Sequence, residues 1–542
     1  MYSDKKKIIH LCALLKAHGV NEVVLCPGSR NAPIVHSLSQ DSDYSCYSIT
    51  DERSAGFFAI GRILETKRPV AICCTSGSAA LNFHPAVSEA FYRKLPLIVI
   101  TADRPRAWIG QMDGQTLPQP MVYGTLVRMS VDLPEVQTAE DEWYCNRLIN
   151  EALLESTHHD CGPVHINVPI SEPLFRFTEK SLPTVRVIRR YDCIEQDLCD
   201  IISSAERLMV IKGQDELNNQ ATLPKNALIL SEQIGNLNGQ RHIDNFDQVI
   251  YAYPSDRKSE IAPDVLITYG GSIVSKRLKK LIRSYPPTHH IHVSREGRVV
   301  DTFACQTIVA EVPAEDILAV IEDTHTHEKP YTRYWWQRSD DVKRKGAMFD
   351  FGYSEMFAVK NLLKHLPHDA VLHLGNSSAV RYAQLFEIAE GNDVYCNRGT
   401  SGIEGSLSTA VGFAAASDRM NVCLIGDLSF FYDMNGLWNS YVKPNLRIMM
   451  LNNGGGEIFQ ALPGLEITER THAFVTASHT TSAQGWAEQL GFEYHGVHSS
   501  NELQDATERL LSIQADKPIF VEVFTDKDSD VRILKDYYHS LK

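Results

Sequence analysis

The chain reads as an α/β protein built from three doubly wound domains with mainly parallel sheets. Three observations predict this. Strand-like apolar runs alternate with helical patterns across the first 170 or so residues. The same alternation returns after residue 370, and a block of short strands lies between the two. Regular alternation of this kind implies a parallel sheet covered by helices on both faces. A chain of 542 residues also has the length for several domains, each with its own core.

Taken in order, Lys5-Lys6-Lys7 and the apolar run 8–15 imitate a signal peptide. However, Lys16 and His18 interrupt it, no small-residue cleavage site follows and a strand comes directly after. An amphipathic first helix is expected instead. Strands follow at 22–26, 44–49, 70–74 and 97–101, with helices at 54–64 and 79–92. A strand at 164–169 closes a first domain spanning 1–180. The middle domain, 186–325, holds short strands at 208–211, 227–230, 265–269, 290–293 and 307–312, and a helix at 275–283. The Thr- and His-rich stretch 322–329 reads as a linker. The third domain, 345–542, repeats the first, with strands at 371–374, 394–396, 422–425 and 448–451 and helices at 403–416 and 431–442.

Composition narrows the function. Hydrophobic content of 43% and charged content of 22% describe a globular protein. A net charge of −14 argues against a nucleic-acid partner, which needs a basic face. It also repels anionic ligands at long range, so any acidic substrate needs local Arg and Lys. The 12 cysteines include no CxxC pair, which fits reduced thiols in a cytoplasmic protein better than a disulfide framework. No stretch is long and apolar enough to span a membrane, and no membrane partner is expected.

The most informative segment runs from Gly426-Asp427-Leu428 to Asn452-Asn453-Gly454-Gly455-Gly456. Asp427 ends one apolar strand and Asn453 ends the next. If the two strands are parallel neighbours, both polar tips emerge at the carboxyl edge of one sheet, where open α/β folds bind ligands. A carboxylate, an amide oxygen and a glycine carbonyl make an oxygen-only site suited to Mg²⁺ (or Mn²⁺). The glycines let backbone approach phosphates closely. The same segment also reads as strand, helix and strand with ordinary turn residues, or as a nucleotide site holding another diphosphate.

This segment resembles the metal and diphosphate motif of the thiamine-diphosphate enzymes, with Leu428 where a glycine is usual. Other segments are similar to one branch of that family: Leu25-Cys26-Pro27-Gly28-Ser29-Arg30-Asn31-Ala32-Pro33, Thr50-Asp51-Glu52-Arg53, Thr75-Ser76-Gly77-Ser78-Ala79 and Thr101-Ala102-Asp103-Arg104-Pro105. Ser275-Lys276-Arg277-Leu278, Gly375-Asn376-Ser377 with Arg381, and Asn397-Arg398-Gly399-Thr400-Ser401-Gly402-Ile403 belong to the same set. That branch acts in menaquinone biosynthesis.

The resemblance implies a thiamine-diphosphate-binding fold, thiamine diphosphate and Mg²⁺ (or Mn²⁺) as cofactors, and 2-oxoglutarate and isochorismate as substrates. The first loses CO₂ and the remaining four-carbon unit adds to the second in a 1,4 fashion. By resemblance, Glu52 hydrogen-bonds the aminopyrimidine and promotes its imino tautomer, and Gln115 and Ser377 are polar partners in catalysis. Gly114 stands where that branch often has an amide. Arg30, Arg104, Lys276, Arg277, Arg381 and Arg398 match a basic cluster for the substrate carboxylates, which Arg forks bind bidentately. Ile403 matches the wedge that bends the cofactor, and Ile458 and Phe459 match a wall of its thiazolium. Gly426, Leu428, Ser429 and Asn453 match the cofactor-binding loop, and Asp427, Asn453 and Gly455 the metal ligands. A homodimer or homotetramer with the cofactor at the subunit interface is expected.

Each position also has a plainer explanation. Glu52 suits a helix start through the macrodipole, Ile403 suits a core at a helix start, and single arginines are usually solvated. A scaffold that keeps the cofactor without chemistry is the competing function. His289, His290 and His292 lie on a strand and His325 and His327 in a linker, without fixed acidic partners. His158-His159 falls in a turn. Gly235-Asn236-Leu237-Asn238-Gly239 has the wrong spacing for a dinucleotide loop.

Overall fold

The computed structural model describes residues 1–215, 222–237, 239–456 and 474–542. The chain forms two compact units, Met1–Arg190 and Tyr191–Lys542.

The first unit holds strands β1 (Glu22–Leu25), β2 (Ser45–Ser48), β3 (Val70–Cys74), β4 (Leu97–Asp103), β5 (Met129–Asp132) and β6 (Val164–Pro169). They form one sheet in the order β2-β1-β3-β4-β6-β5, with every adjacent pair parallel. β3, β4 and β6 are buried along their whole length, as sheets covered on both faces require. Sequence reading did not place β5, whose Met-Ser-Val-Asp carries no apolar run.

Two expectations for this unit need correction. The helix Lys6–Ala17 is buried from Lys7 to Leu15 rather than amphipathic. Lys7 tolerates burial because its Nζ donates to the Pro169 carbonyl at 2.7 Å and pairs with Glu135 at 2.8 Å. The expected helix at 79–92 is two helices, Ser78–Asn82 and His84–Tyr92. Pro85 has no N–H to continue the first, and it suits the opening turn of the second.

The first unit runs on to residue 190, and Asn150 fastens its last stretch. Its side chain donates to the Arg186 carbonyl at 3.0 Å and accepts from the Ile188 N–H at 2.8 Å.

β7 (Arg189–Tyr191) leads into the second unit, which holds two sheets. The central one comprises β8 (Leu208–Lys212), β9 (Leu228–Ser231), β10 (Val265–Tyr269), β11 (His289–Val293) and β12 (Ile308–Ala310), in the order β7-β12-β11-β10-β8-β9. The other comprises β13 (Val371–Leu374), β14 (Asp393–Cys396), β15 (Asn421–Gly426), β16 (Leu446–Asn452), β17 (Glu493–Val497) and β18 (Ile519–Phe524). Its order, β14-β13-β15-β16-β18-β17, repeats that of the first unit. Sequence reading placed neither β17 nor β18.

The two sheets of this unit are tied by side chains that satisfy backbone groups across them. Asn236 donates to the Val394 carbonyl at 3.0 Å and accepts from the Val394 N–H at 2.8 Å. Gln214 Nε2 donates to the Cys396 carbonyl at 2.7 Å. The Gly235–Gly239 stretch is therefore a packing loop over its described residues. The expected linker 322–329 shrinks to the residues between the helices Ala314–Thr324 and Pro330–Ala347, with His325 buried against the Ile202 carbonyl. His290 and His292 are buried and both hydrogen-bond Thr268. The 12 cysteines are free, and no described helix is long and apolar enough to cross a membrane.

The expected helix at 431–442 is also corrected. Residues Asp427–Asp433 are α-helical, Met434–Leu437 form a 3₁₀ turn, and the helix goes no further. Asp433 turns its carboxylate to the N–H and hydroxyl of Ser408, and Gly436 packs so closely on Ser408 that a Cβ there would lie 2.4 Å from its Oγ.

Candidate active site

β15 and β16 are parallel neighbours, with Gly426 opposite Leu451. Asp427 and Asn453 thus leave the same carboxyl edge, as their positions after two apolar runs predict. Asp427 is buried, 3% exposed. Its Oδ1 accepts from the Leu428 N–H at 2.6 Å and its Oδ2 from the N–H groups of Gly454 and Gly455, each at 2.9 Å. His479 Nε2 lies 3.2 Å from the same Oδ2. Asn453 Nδ2 donates to Glu355 Oε1 at 3.0 Å, and Asn453 Oδ1 accepts from Gly455 at 3.2 Å. Asp427, Asn453 and the Gly455 carbonyl offer oxygen atoms, with His479 Nε2 beside them, and among the described residues a Cβ on Gly426 would meet nothing within 4 Å. The chemistry and the open space at this strand end fit a hard divalent cation beside phosphate oxygens.

The glycines have a use that sequence reading did not assign. Gly454 and Gly455 have φ of 76° and 151°. A Cβ on either would lie 2.8 Å from a backbone oxygen, of His479 or Thr476. The chain's own 476–479 segment already demands them, besides any phosphate.

The second unit holds most of the other candidates. Ser429 donates its hydroxyl to the Ile403 carbonyl, joining the Asp427 turn to the Ile403 loop. Ile403 is exposed, and the nearest helix begins only at Ser406, so it is no core residue. Ser377 has φ 72° and ψ −122°, a conformation suited to glycine; strain of this kind, about 1–3 kcal/mol, gathers at functional sites. Its carbonyl accepts from Arg381 NH1 at 2.6 Å. Burial lowers the pKa of Arg381, and the nearby Arg398 charge adds to this. Arg398 NH1 donates to Asn376 Oδ1 at 2.8 Å, while Asn376 Nδ2 donates to the carbonyls of Asn397 and Gly402. Arg398 opens onto a cavity of about 1180 Å³ whose other wall is the carboxyl edge of the central sheet, including Gln214, Gly270 and Gly271.

Lys276 and Arg277 begin the helix Lys276–Ser284, but their settings differ. Arg277 is tied to Asp247 and lies against the neighbouring rings of Tyr251 and Tyr538, 5.0 and 4.2 Å from their centroids. Lys276 is exposed and has no ion-pair partner among the described residues.

In the first unit Glu52 opens the helix Glu52–Thr66, but Asp51 supplies the cap, accepting from the Ser54 N–H at 3.0 Å. The Glu52 carboxylate is left to other work, and Asn82 donates to it at 3.3 Å. Arg30 and Arg104 converge on Glu172. Arg30 is buried and donates to Glu172 at 3.3 Å, and Arg104 lies 4.0 Å from the same oxygen. Burial lowers the pKa of Arg30, with Arg104 the next cause.

Gln115 is exposed at φ 55°, and a Cβ on Gly77 would lie 3.1 Å from its Cα. The Gly77 N–H donates to Gln119 Oε1 at 2.8 Å, and Gln119 Nε2 donates to Asn167, which donates to Asp103. Burial raises the pKa of Asp103 to about 6. At φ 86° and ψ −141°, Gly77 has no room for a side chain. Gly77→Ala is expected to lose about 1–3 kcal/mol of stability from strain alone, and to lower kcat by displacing Gln115. Urea unfolding alongside initial rates measures both.

The candidates divide between the units: Glu52, Arg30, Arg104 and Gln115 lie in the first, and Asp427, Asn453, Gly455, Gly426, Leu428, Ser429, Ile403, Ser377, Arg381, Arg398, Lys276 and Arg277 in the second. Ile458 and Phe459 lie outside the described residues. Glu355, His479, Asn376 and Gln119 were missed. Asn376 stands inside a quoted motif and was within reach; Glu355 is 98 residues from Asn453 and carries no local signal.

Comparison with known proteins agrees with this geometry. Residues 9–123 match the family described as thiamine pyrophosphate enzyme, N-terminal TPP binding domain, and residues 375–523 its C-terminal TPP binding domain. A protein of Bacteroides thetaiotaomicron named 2-succinyl-5-enolpyruvyl-6-hydroxy-3-cyclohexene-1-carboxylate synthase is 54% identical, over 100% of both chains. Proteins of the same name from Phocaeicola vulgatus and Porphyromonas gingivalis are 52% and 34% identical, over 100% and 99% of this chain and 99% and 97% of theirs. With its metal-type loop on the third sheet and its glutamate on the first, the chain belongs to the 2-succinyl-5-enolpyruvyl-6-hydroxy-3-cyclohexene-1-carboxylate synthase family of thiamine pyrophosphate enzymes.

Proposed function

We propose that the protein catalyses decarboxylation of 2-oxoglutarate and 1,4-addition of the remaining four-carbon unit to isochorismate, giving 2-succinyl-5-enolpyruvyl-6-hydroxy-3-cyclohexene-1-carboxylate for menaquinone biosynthesis in the cytoplasm. Thiamine diphosphate supplies the nucleophilic carbon at which CO₂ is lost. The observation that carries the reading is the cradle at the ends of β15 and β16, within a chain that aligns end to end with its relatives.

The chain's own residues divide the work. Asp427, Asn453 and the Gly455 carbonyl hold Mg²⁺ or Mn²⁺, and Gly426, Leu428 and Ser429 line the diphosphate. Glu52 hydrogen-bonds the cofactor's pyrimidine, Ile403 is the wedge that bends it, and Ile458 and Phe459 are assigned to its thiazolium. Arg30, Arg104, Lys276, Arg277, Arg381 and Arg398 receive the substrate carboxylates, with Gln115 and Ser377 as polar partners. A cluster of this size suits two dicarboxylates in a chain that is negative overall. It would be superfluous for a small monocarboxylate.

Three domains, 1–180, 186–325 and 345–542, accord with three sheets. A homodimer or homotetramer with the cofactor at the subunit interface is supported by exposed Phe57, Phe58, Leu81 and Tyr92 on the first unit, and by Tyr432, Trp438 and Tyr441 on the second. Large exposed aromatics at this density mark surfaces that another chain covers. A monomer in sedimentation that still turned over would contradict it.

The test is to mix protein, thiamine diphosphate, Mg²⁺, 2-oxoglutarate and isochorismate and weigh the product. The adduct is expected. CO₂ release indifferent to isochorismate, with succinic semialdehyde as sole product, would make it a plain decarboxylase.

A further inference from the structure

Among the cations assigned above, Lys276 and Arg277 depend on how their helix begins, and that beginning is set by a residue far away in sequence. Glu232 follows β9, and the residue is 5% exposed. Its Oε2 accepts from the Val274 N–H and its Oε1 from the Ser275 N–H, each at 2.7 Å. Both carboxylate oxygens thus grip two consecutive N–H groups immediately before Lys276. Ser275 in turn caps the helix, its Oγ accepting from the Leu278 N–H at 3.0 Å and donating to Asp247 at 2.6 Å.

The neighbouring charges are sorted by the same arrangement. Arg277 is bound to Asp247 and lies against the rings of Tyr251 and Tyr538. Lys279 turns back to the Ile273 carbonyl at 2.7 Å. Lys276 alone of the three has no polar partner among the described residues. We propose that Glu232 is a positioning residue for substrate-carboxylate binding: by gripping Val274 and Ser275 it fixes the first helical turn so that Lys276, beside Arg277, meets the ligand. This rests on the function proposed above.

The electrostatic surroundings supply a readout. The charged groups acting on Glu232 are Asp247 on the 246–252 helix, Lys279 on the 276–284 helix and Arg381 on the 378–383 helix. Arg398 acts on Lys279 and Arg381. Burial raises the pKa of Glu232 to about 7, against the lowering effect of its two N–H donors. Above that pH the carboxylate is ionised and holds both donors. Below it one oxygen carries a proton, faces an N–H donor and releases part of the loop.

The experiment is steady-state kinetics on the full chain with cofactor, Mg²⁺ and both substrates. In the wild type, KM for at least one dicarboxylate should rise as pH falls through about 7, with kcat changing less. Glu232→Gln, which sets an NH₂ against an N–H donor, should raise that KM about 5- to 30-fold at pH 8, keep kcat within about threefold and flatten the pH dependence. Glu232→Asp keeps the charge but reaches only one N–H, and should raise KM less. A KM in both variants equal to wild type would overturn the proposal, as would equal losses in kcat and kcat/KM. Should Glu232→Gln fail to fold, a wild-type KM flat between about pH 6 and 8 overturns it instead. Absence of the adduct in the wild type would refute the function itself, a result distinct from adduct formation with an insensitive KM.

Discussion

Glu52→Gln is expected to bind thiamine diphosphate with Mg²⁺ as the wild type does and to lose about 10²- to 10⁴-fold in kcat, the usual range for removing a positioned acid–base group. Folding should be nearly untouched. The helix cap belongs to Asp51, and among the described residues the Asn82 amide donates to Glu52 at 3.3 Å. Gln keeps the size and can still accept from Asn82, so the change is confined to charge and proton affinity. Calorimetric titration with the cofactor should superimpose on the wild type while single-turnover rates fall. Unchanged kcat would remove Glu52 from the mechanism, and lost cofactor affinity would make it a binding group.

Asp427→Ala is expected to strike stability and cofactor binding together. Its carboxylate accepts three backbone N–H groups, from Leu428, Gly454 and Gly455, in a buried place. Leaving buried donors unsatisfied costs about 1–3 kcal/mol each, so a loss of roughly 2–5 kcal/mol is expected after relaxation. The strand-end cradle would also lose its only carboxylate among the assigned ligands. Thermal scans report both effects: a lower Tm without ligand, and no rise on adding thiamine diphosphate and Mg²⁺, whereas the wild type is expected to gain stability from their binding to the native state. A variant with wild-type Tm and a normal ligand-induced rise would show that Asp427 neither holds the loop nor binds the metal.

Local pattern carried the architecture far. Apolar runs marked most strands that lie inside the sheets, because a parallel strand buried on both faces is apolar along its length; β18, a mostly apolar run paired on both sides, was passed over. The edge strand β5 and the polar β17 escaped because half-buried strands carry weaker patterns. Helix limits were the other failure. At 79–92 and 431–442 the endings came from Pro85 and from Asp433 reaching Ser408, and the second of these is a tertiary contact. The first helix was misjudged since Lys7 finds its partners more than a hundred residues away.

The site divides along the same line. Asp427 and Asn453 were legible since strand ends in a parallel sheet share one edge, a consequence of connectivity alone. The chemical identity of the cations was legible too, through motifs longer than chance supplies. Which cation is free and which is tied was not. Arg277 and Lys276 are adjacent in sequence, yet Asp247 and Tyr538 claim one and leave the other.

By itself, then, the sequence determined the α/β class, the carboxyl edge from which Asp427 and Asn453 emerge and the residue types placed there, because periodicity and strand order act locally. Only the tertiary structure decided that Glu232 grips the loop before Lys276, that Glu355 orients Asn453 and that Gly454 and Gly455 make room for their own chain. Hydrogen bonds between residues far apart in sequence are chosen by distance in space, and no local pattern records them.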